Sequence, residues 1–383
     1  MAIRTPEQYL RSLNDGREIW FQGERAKDLS RHPHIRTCAE IGAMDYALCQ
    51  DPRYQDLLLE KDKDGEPYHF VFKPMESAKD LLRRREIIQL TARTCFGMPG
   101  GTKFTGIDGL NAITSVSRRM DRELGTSYGP RVEAYRQHLK KIDAAVAVAV
   151  TDVKGDRSLH PSKQKQHRDF YLRMVDERKD GIVVRGAKVH ISWAPIVNEV
   201  IVVPCRAMRE YDREYAVAFA VPPDTRGLKF IMCQPEVDDE NDFDSPLSAH
   251  IYTGEALVVF DDVFIPMERV FLKGEWKHAA NFAYMFANFH RVSADAYKFT
   301  ENEILVGAAA LMAEYNGLEK VPISRISSPG WPGIRKPRKR SAGPPVRTVS
   351  WTQNRAWSIR TRSIPTPLNS SSLTITIKPS STS

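Results

Sequence analysis

Residues 180–190 read Asp-Gly-Ile-Val-Val-Arg-Gly-Ala-Lys-Val-His, a β-branched run opened and interrupted by glycine. The same character recurs between turn residues at Glu199 to Pro204, Tyr215 to Val221, Leu228 to Met232, Ala256 to Phe260 and Val263 to Pro266. Such runs predict a compact antiparallel sheet or barrel that begins after Val150. Upstream the apolar spacing is helical instead. Thr5 to Leu13, Pro33 to Cys49, Ser77 to Cys95 and Arg131 to Lys140 each show the 3.6-residue period, with one short extended segment at Ile19 to Gln22. Downstream a long helical pattern starts near Trp276, is expected to break near Ser293, and ends at Gly317. Helices, then strands, then helices describe an α+β chain in separate layers rather than a βαβ sheet. The expected divisions are 1–147 (helical), 148–273 (β), 274–320 (the start of a helical bundle) and 321–383 (a tail).

The net charge of +8 over 383 residues would suggest a nucleic-acid or membrane-surface partner, but its distribution argues otherwise. Val321 to Ser383 holds 11 Lys and Arg and no Asp or Glu, which leaves 45 basic against 48 acidic residues before it. That tail also carries nine prolines and thirteen serines with no apolar stripe, the composition of a segment expected to be largely disordered or poorly packed. Nothing in it shapes a groove reader, so no nucleic-acid partner is expected. Five cysteines without a CxxC pair, and an N-terminus lacking a basic-then-apolar leader, fit a cytoplasmic protein. The apolar run Ala144 to Val150 is too short to span a bilayer.

No GxGxxG joins a strand to a helix, and no P-loop is present. The cluster Gly97-Met98-Pro99-Gly100-Gly101, with Gly106 and Gly109, reads either as a close approach to a ligand or as the loop ending the preceding helix. Thr151 to Arg157 (TDVKGDR) packs a hydroxyl, two carboxylates, a Lys and an Arg between the α- and β-parts. It reads as a solvated turn or as a cofactor contact, since a guanidinium forks onto a pyrophosphate. The acidic run Glu236 to Asp244 lacks the glycine and terminal Glu of an EF-hand, so a solvated loop is expected and no metal site. His290 sits on the apolar side of its helix beside Phe289, where a buried, hydrogen-bonded His is the ordinary reading.

TDVKGDR (151–157), DGIVVRGAKVH (180–190), EALVVFDDVFIP (255–266), VGAAALMAEYNG (306–317) and the opening TPEQYLRSLNDGREIWFQGERAKD (5–28) together resemble one family over residues 3 to 320. It unites the oxygenase component of 4-hydroxyphenylacetate 3-monooxygenase with 4-hydroxybutyryl-CoA dehydratase. The resemblance implies an acyl-CoA-dehydrogenase-like fold, FAD between domains, and a C-terminal bundle that forms tetramers. Thr151, Asp152, Asp156 and Arg157 match the family's first flavin-contacting stretch, and His190 with Ser192 matches the second.

At the chemical residues the chain departs from both branches. The dehydratase branch implies an iron-sulfur cluster on a Cys-x3-Cys pair, a His and a later Cys. Here Pro99 follows Cys95 at that spacing, an ungapped register brings Gly100 and Phe104 there instead, His290 matches the His, and Tyr297 stands at the last Cys. One His and at most one thiolate hold no cluster, so none is expected. The hydroxylase branch carries Gly-Arg-Thr-Pro-Asp-Tyr and a junction His; this chain has Gly100 to Thr105 (GGTKFT) and Val148. The leading expectation is a two-component monooxygenase that takes reduced FAD from a separate reductase and hydroxylates an aromatic or similar small substrate. In it Lys103 is a candidate group for a substrate carboxylate. The alternatives are a cluster-free relative acting on a CoA ester through flavin and His290, or an inactive remnant. The switch after Lys320 from bundle to basic tail is what a reading-frame change would produce.

Overall fold

The computed structural model describes residues 3–98, 101–233 and 253–318, the positions 243, 247 and 251, and the backbone of 347–352 and 356–361. The acidic run 236–244 lies outside the described residues except at Phe243. Met1–Ile304 and Leu305–Ser383 form two compact units.

The first unit begins with α1 (Pro6–Ser12), whose N-terminus is closed by Thr5 and Gln8, each side chain accepting from the other's backbone N–H. There follow β1 (Glu18–Phe21), β2 (Glu24–Arg25), α2 (Pro33–Gln50), α3 (Pro52–Leu58), β3 (Leu59–Lys61), β4 (Pro67–His69), α4 (Ala78–Thr94), α5 (Thr105–Leu124) and α6 (Tyr128–Lys141). The β-part comprises β5 (Val146–Ala149), β6 (Arg173–Glu177), β7 (Gly181–Ser192), β8 (Glu199–Val202), β9 (Val217–Val221), β10 (Leu228–Cys233), β11 (Glu255–Pro266) and β12 (Val270–Lys273). α7 (Ala279–Tyr315) then runs 37 residues.

Ten of these described strands form two sheets, ordered β2-β1-β10-β11-β7-β6 and β12-β9-β8-β5, and β3 pairs with β4 in a separate two-stranded ladder. They are not purely antiparallel, because β1 runs parallel to β10 and β5 parallel to β8. The short extended segment expected at Ile19 is thus a strand of the main sheet. A division at residue 147 therefore cuts across sheet pairing, since the first helical region supplies β1 and β2.

Of the glycine cluster, Gly97 (φ +79°) lies in the turn that ends α4, its N–H donating to Ala92 O, as one of the two readings expected. Pro99 and Gly100 lie outside the described residues, and Gly106 and Gly109 fall inside α5. Thr105 to Leu124 is a helix with twelve buried residues, and Ile107, Leu110 and Ile113 share one core with Val146, Val148 and Ile201 of the second sheet. Gly106 and Gly109 belong to this packing: a Cβ on Gly106 would overlap the Val146 carbonyl, and one on Gly109 would lie 2.8 Å from a Val148 methyl. Gly106 and Gly109 thus admit β5 at close range.

The break expected near Ser293 is absent. The Ser293 hydroxyl donates 2.9 Å to Asp108 Oδ1 across to α5 rather than to its own helix backbone, so it does not bend α7.

In the second unit the C-terminal end of α7 closes at Gly317 (φ +65°), with Leu318 N–H donating to Ala313 O. The backbone of β13 (Arg347–Thr352) pairs antiparallel with β14 (Ala356–Thr361), Trp351 opposite Trp357.

Candidate functional site

The centre of the candidate site is an irregularity in β7. Ile191 pairs with Ala256 and Lys188 with Val258, so Val189 and His190 together oppose the single residue Leu257. The extra residue is His190, held at φ +56° with its side chain exposed. A bulge of this kind re-aims a side chain that strict alternation would have turned elsewhere.

Thr151 and Asp152 are fastened beside the bulge. Val189 N–H donates 2.9 Å to the Thr151 carbonyl, and Asp152 bridges Lys188 in antiparallel sense. Lys188 is buried, with its ammonium 2.9 Å from the Asp152 carboxylate while also donating to the Val150 and Val203 carbonyls. The same carboxylate accepts from Leu172 N–H. Ser192 pairs with Glu255 on β11 and donates 3.0 Å to its carboxylate. Thr151, His190 and Ser192 thus all lie near the C-terminal end of β7, Thr151 across one side of the strand and Ser192 opposite β11, the first and last half-buried.

Asp156 and Arg157 occupy the exposed turn that follows. Gln164 brackets this turn, accepting from Asp156 N–H and donating to the Asp156 carbonyl. Gly155, at φ +52°, lies so close to Phe170 and Gln164 that a Cβ would overlap both. The Asp156 carboxyl is held below its ordinary value by hydrogen bonds from the Ser158 hydroxyl and backbone.

Two candidates read differently once placed. Asp152 is 2% exposed and its Oδ1 is engaged by both Lys188 and Leu172 N–H, so it holds this end of β7 together. Lys103 is 3% exposed, 2.5 Å from Asp143 and over the Tyr46 ring at 4.0 Å. An ammonium neutralised inside the core is not a free anchor for a substrate carboxylate. The neighbouring backbone is pinned as well, because Thr102 N–H donates 2.6 Å to Asp45. Burial pushes the Asp45 carboxyl up, against the pull of Lys103 and the Thr102 hydrogen bonds.

His290 joins a second group of residues, of which it alone was legible in the sequence. Its Nδ1 is 3.1 Å from Asp108 Oδ2, and Asp108 Oδ1 also accepts from Ser293 and, at 2.6 Å, from Arg84. Asp108 and Arg84 are wholly buried. The Phe286 ring stacks on the imidazole at 5.2 Å with an interplanar angle of 12°. Asp108 stands among glycines in Thr-Gly-Ile-Asp-Gly-Leu, which disfavour a helix locally; the apolar spacing of Ile107, Leu110 and Ile113 beside it was the signal available.

Phe104 and Tyr297, at positions where the resemblance implied thiolates, pack together with ring centroids 6.3 Å apart, beside Ile88 and Ala296. Cys95 faces Met44, with Sγ 3.7 Å from Sδ, and burial pushes its thiol far up. Among the described residues no three His, Cys, Asp or Glu side chains are placed to hold a metal ion, and no helix is long and apolar enough to cross a membrane.

Residues 5–272 match the family model described as 4-hydroxyphenylacetate 3-hydroxylase N terminal. The chain is 38% identical to 4-hydroxybutyryl-CoA dehydratase/vinylacetyl-CoA-Delta-isomerase of Clostridium aminobutyricum, over 83% of this chain and 66% of that protein. It is 32% identical to the 4-hydroxyphenylacetate 3-monooxygenase oxygenase component of Thermus thermophilus, over 82% of this chain and 65% of that one. A solved structure of a 4-hydroxyphenylacetate 3-monooxygenase oxygenase component complexed with FAD superposes at a TM-score of 0.72 and 29% identity, over 81% of this chain and 64% of that chain. The chain therefore spans just under two-thirds of the length of these relatives.

Proposed function

We propose, from the premise that this chain belongs to the 4-hydroxyphenylacetate 3-hydroxylase family, that it is a flavin-dependent monooxygenase. It would be the oxygenase part of a two-component system acting on an aromatic or similar small substrate. The observation that supports this reading is the β7 bulge at His190, with Ser192 two residues on, Thr151 held across from Val189, and Arg157 in the turn that follows Thr151. Hydroxyl, imidazole and guanidinium donors fit a flavin nucleotide, whose ring edge accepts hydrogen bonds and whose pyrophosphate is anionic.

In this assignment His190 and Ser192 face the ring, Thr151 supports its edge, and Arg157 takes the pyrophosphate. Asp156 shapes the turn, while Asp152 and Lys188 keep β7 in register. Reduced FAD bound there would supply O₂ activation, one oxygen atom entering the substrate and the other leaving as water. The chain's own tasks are to orient the substrate, exclude water and accept a proton at His290. A separate flavin reductase is the implied partner, and the exposed apolar residues of α7 favour a homo-oligomer, a tetramer on the family's pattern. We assign 1–147, 148–273 and 274–320 to the helical, β and bundle parts, with β1 and β2 lent to the β-part, and the whole to the cytoplasm.

The 38% identity to the dehydratase favours a second reading, in which the chain acts on a CoA ester with flavin and His290 alone. The Phe104 and Tyr297 contact weighs against dehydration, which needs a Lewis acid. The test is FAD titration followed by turnover with a flavin reductase, NADH and oxygen-18 labelled O₂. Label in a phenol product supports the monooxygenase. Flavin binding with turnover of a CoA ester only would transfer the case to the second reading, and a chain that binds no flavin would be a remnant.

A further inference from the structure

The constellation around Asp108 goes beyond the flavin edge. A carboxylate paired with a guanidinium only accepts, and Asp108 takes a hydrogen bond at 2.6 Å from Arg84 and another from Ser293. The His290 nitrogen facing it must therefore be the donor, so Nδ1 carries the proton and Nε2 carries the lone pair. The imidazole cannot turn over readily, because Phe286 fixes its plane while Asp108 fixes its rotation. Arg84 has a further meaning: its Nε and Nη1 are buried without a partner, so the guanidinium is committed to Asp108 and the Phe104 carbonyl. The His290 side chain is 34% exposed, whereas Asp108 is wholly buried.

We propose that Asp108 is a positioning residue that presents His290 Nε2 as the proton acceptor for the hydroxyl of a phenol-class substrate, an inference that rests on the monooxygenase reading for its substrate. The phenol O–H breaks and its proton passes to Nε2; the imidazolium keeps Nδ1–H on Asp108, and the ring becomes the more electron-rich phenolate. Arg84 keeps Asp108 an acceptor throughout. No electron changes hands in this step.

The test reads the tautomer directly, in the full chain with nitrogen-15 labelled histidine, the His290 signals being assigned by loss in His290→Gln. The Nδ1–H tautomer is expected in the wild type, and Asp108→Asn should shift it toward Nε2–H. Because that variant strands the Arg84 charge, the double variant Arg84→Met with Asp108→Asn provides a second measurement with both charges removed, and should show the same shift. In turnover, His290→Gln should lower kcat by about 100-fold or more, and Asp108→Asn should lower kcat with little change in KM for the phenol. The expected tautomer, lost in both Asp108 variants, upholds the positioning role even in a chain that hydroxylates nothing. An Nε2–H tautomer in the wild type, or one indifferent to Asp108, overturns it even in a chain that hydroxylates phenols.

Discussion

Lys103 and Lys188 are each buried opposite a single aspartate, and neither was recognisable as a core residue from its neighbours. Lys103 follows Gly101 and Thr102, a context that reads as an exposed loop. Its partner Asp143 is 40 residues away, and local pattern carries no information about a contact at that separation. Removing one member of a buried pair strands the other charge, which costs about 3–5 kcal/mol. Lys103→Met should therefore lower the stability seen in urea unfolding by about that amount, and the added substitution Asp143→Leu should restore most of it. An anion-binding role would predict the opposite pattern, with unchanged stability and a raised KM. His290 could be singled out because it sits beside Phe289 on an otherwise apolar helical face. Asp108, which gives that histidine its orientation, could not, because the surrounding glycines concealed the helix.

α5 is where element-level reading failed, for an energetic reason. Glycine in a helix interior costs about 1 kcal/mol relative to alanine, so Gly106 and Gly109 argue locally against a helix. Tertiary packing reverses the sign. An alanine at 106 would drive its Cβ into the Val146 carbonyl, and backbone yields less readily than a side chain. Gly106→Ala should destabilise by about 1–3 kcal/mol, with Gly109→Ala milder because it meets only Val148 side-chain atoms at first contact; thermal melts of the two variants check the order.

β1 was legible as an extended segment, but its parallel pairing with β10, some 200 residues on, was not. α4, by contrast, was read almost to the residue because its ends announce themselves. Ser77 and Asp80 form a reciprocal cap at its start. Burial pushes the Asp80 carboxyl up, but hydrogen bonds from Lys73, Ser77 and the Glu76 backbone outweigh it and hold it at about 2. A carboxyl depressed on folding stabilises the protein above its ordinary value of 3.8 and loses that contribution as pH falls toward 2. Ser77→Ala should cost about 1 kcal/mol at neutral pH. It should also move the acid-unfolding limb to higher pH, as a pH series of melts would record.

At the scale of the molecule, the succession of helices, strands and a long helix was legible because hydrophobic period changes twice along the chain, and period survives ignorance of partners. What period does not report is which faces stay open. Along α7, Tyr284 and Phe299 in the first unit, and Leu305, Leu311, Met312 and Tyr315 in the second, are exposed, Tyr315 at 83% and Met312 at 66%. Scattered exposed apolar residues are ordinary, whereas several on one helix are the signature of a surface that binds another surface. Light scattering should accordingly return a mass that is a multiple of 43.5 kDa, and an apolar dye should bind weakly until the assembly is diluted apart. Met312→Lys with Tyr315→Lys should yield the single chain without lowering the melting temperature, since cations in the last turn favour the helix dipole. A mass of 43.5 kDa in the unaltered chain at every concentration, with no dye response, would show that these side chains are tolerated by solvent and that assembly plays no part in covering them.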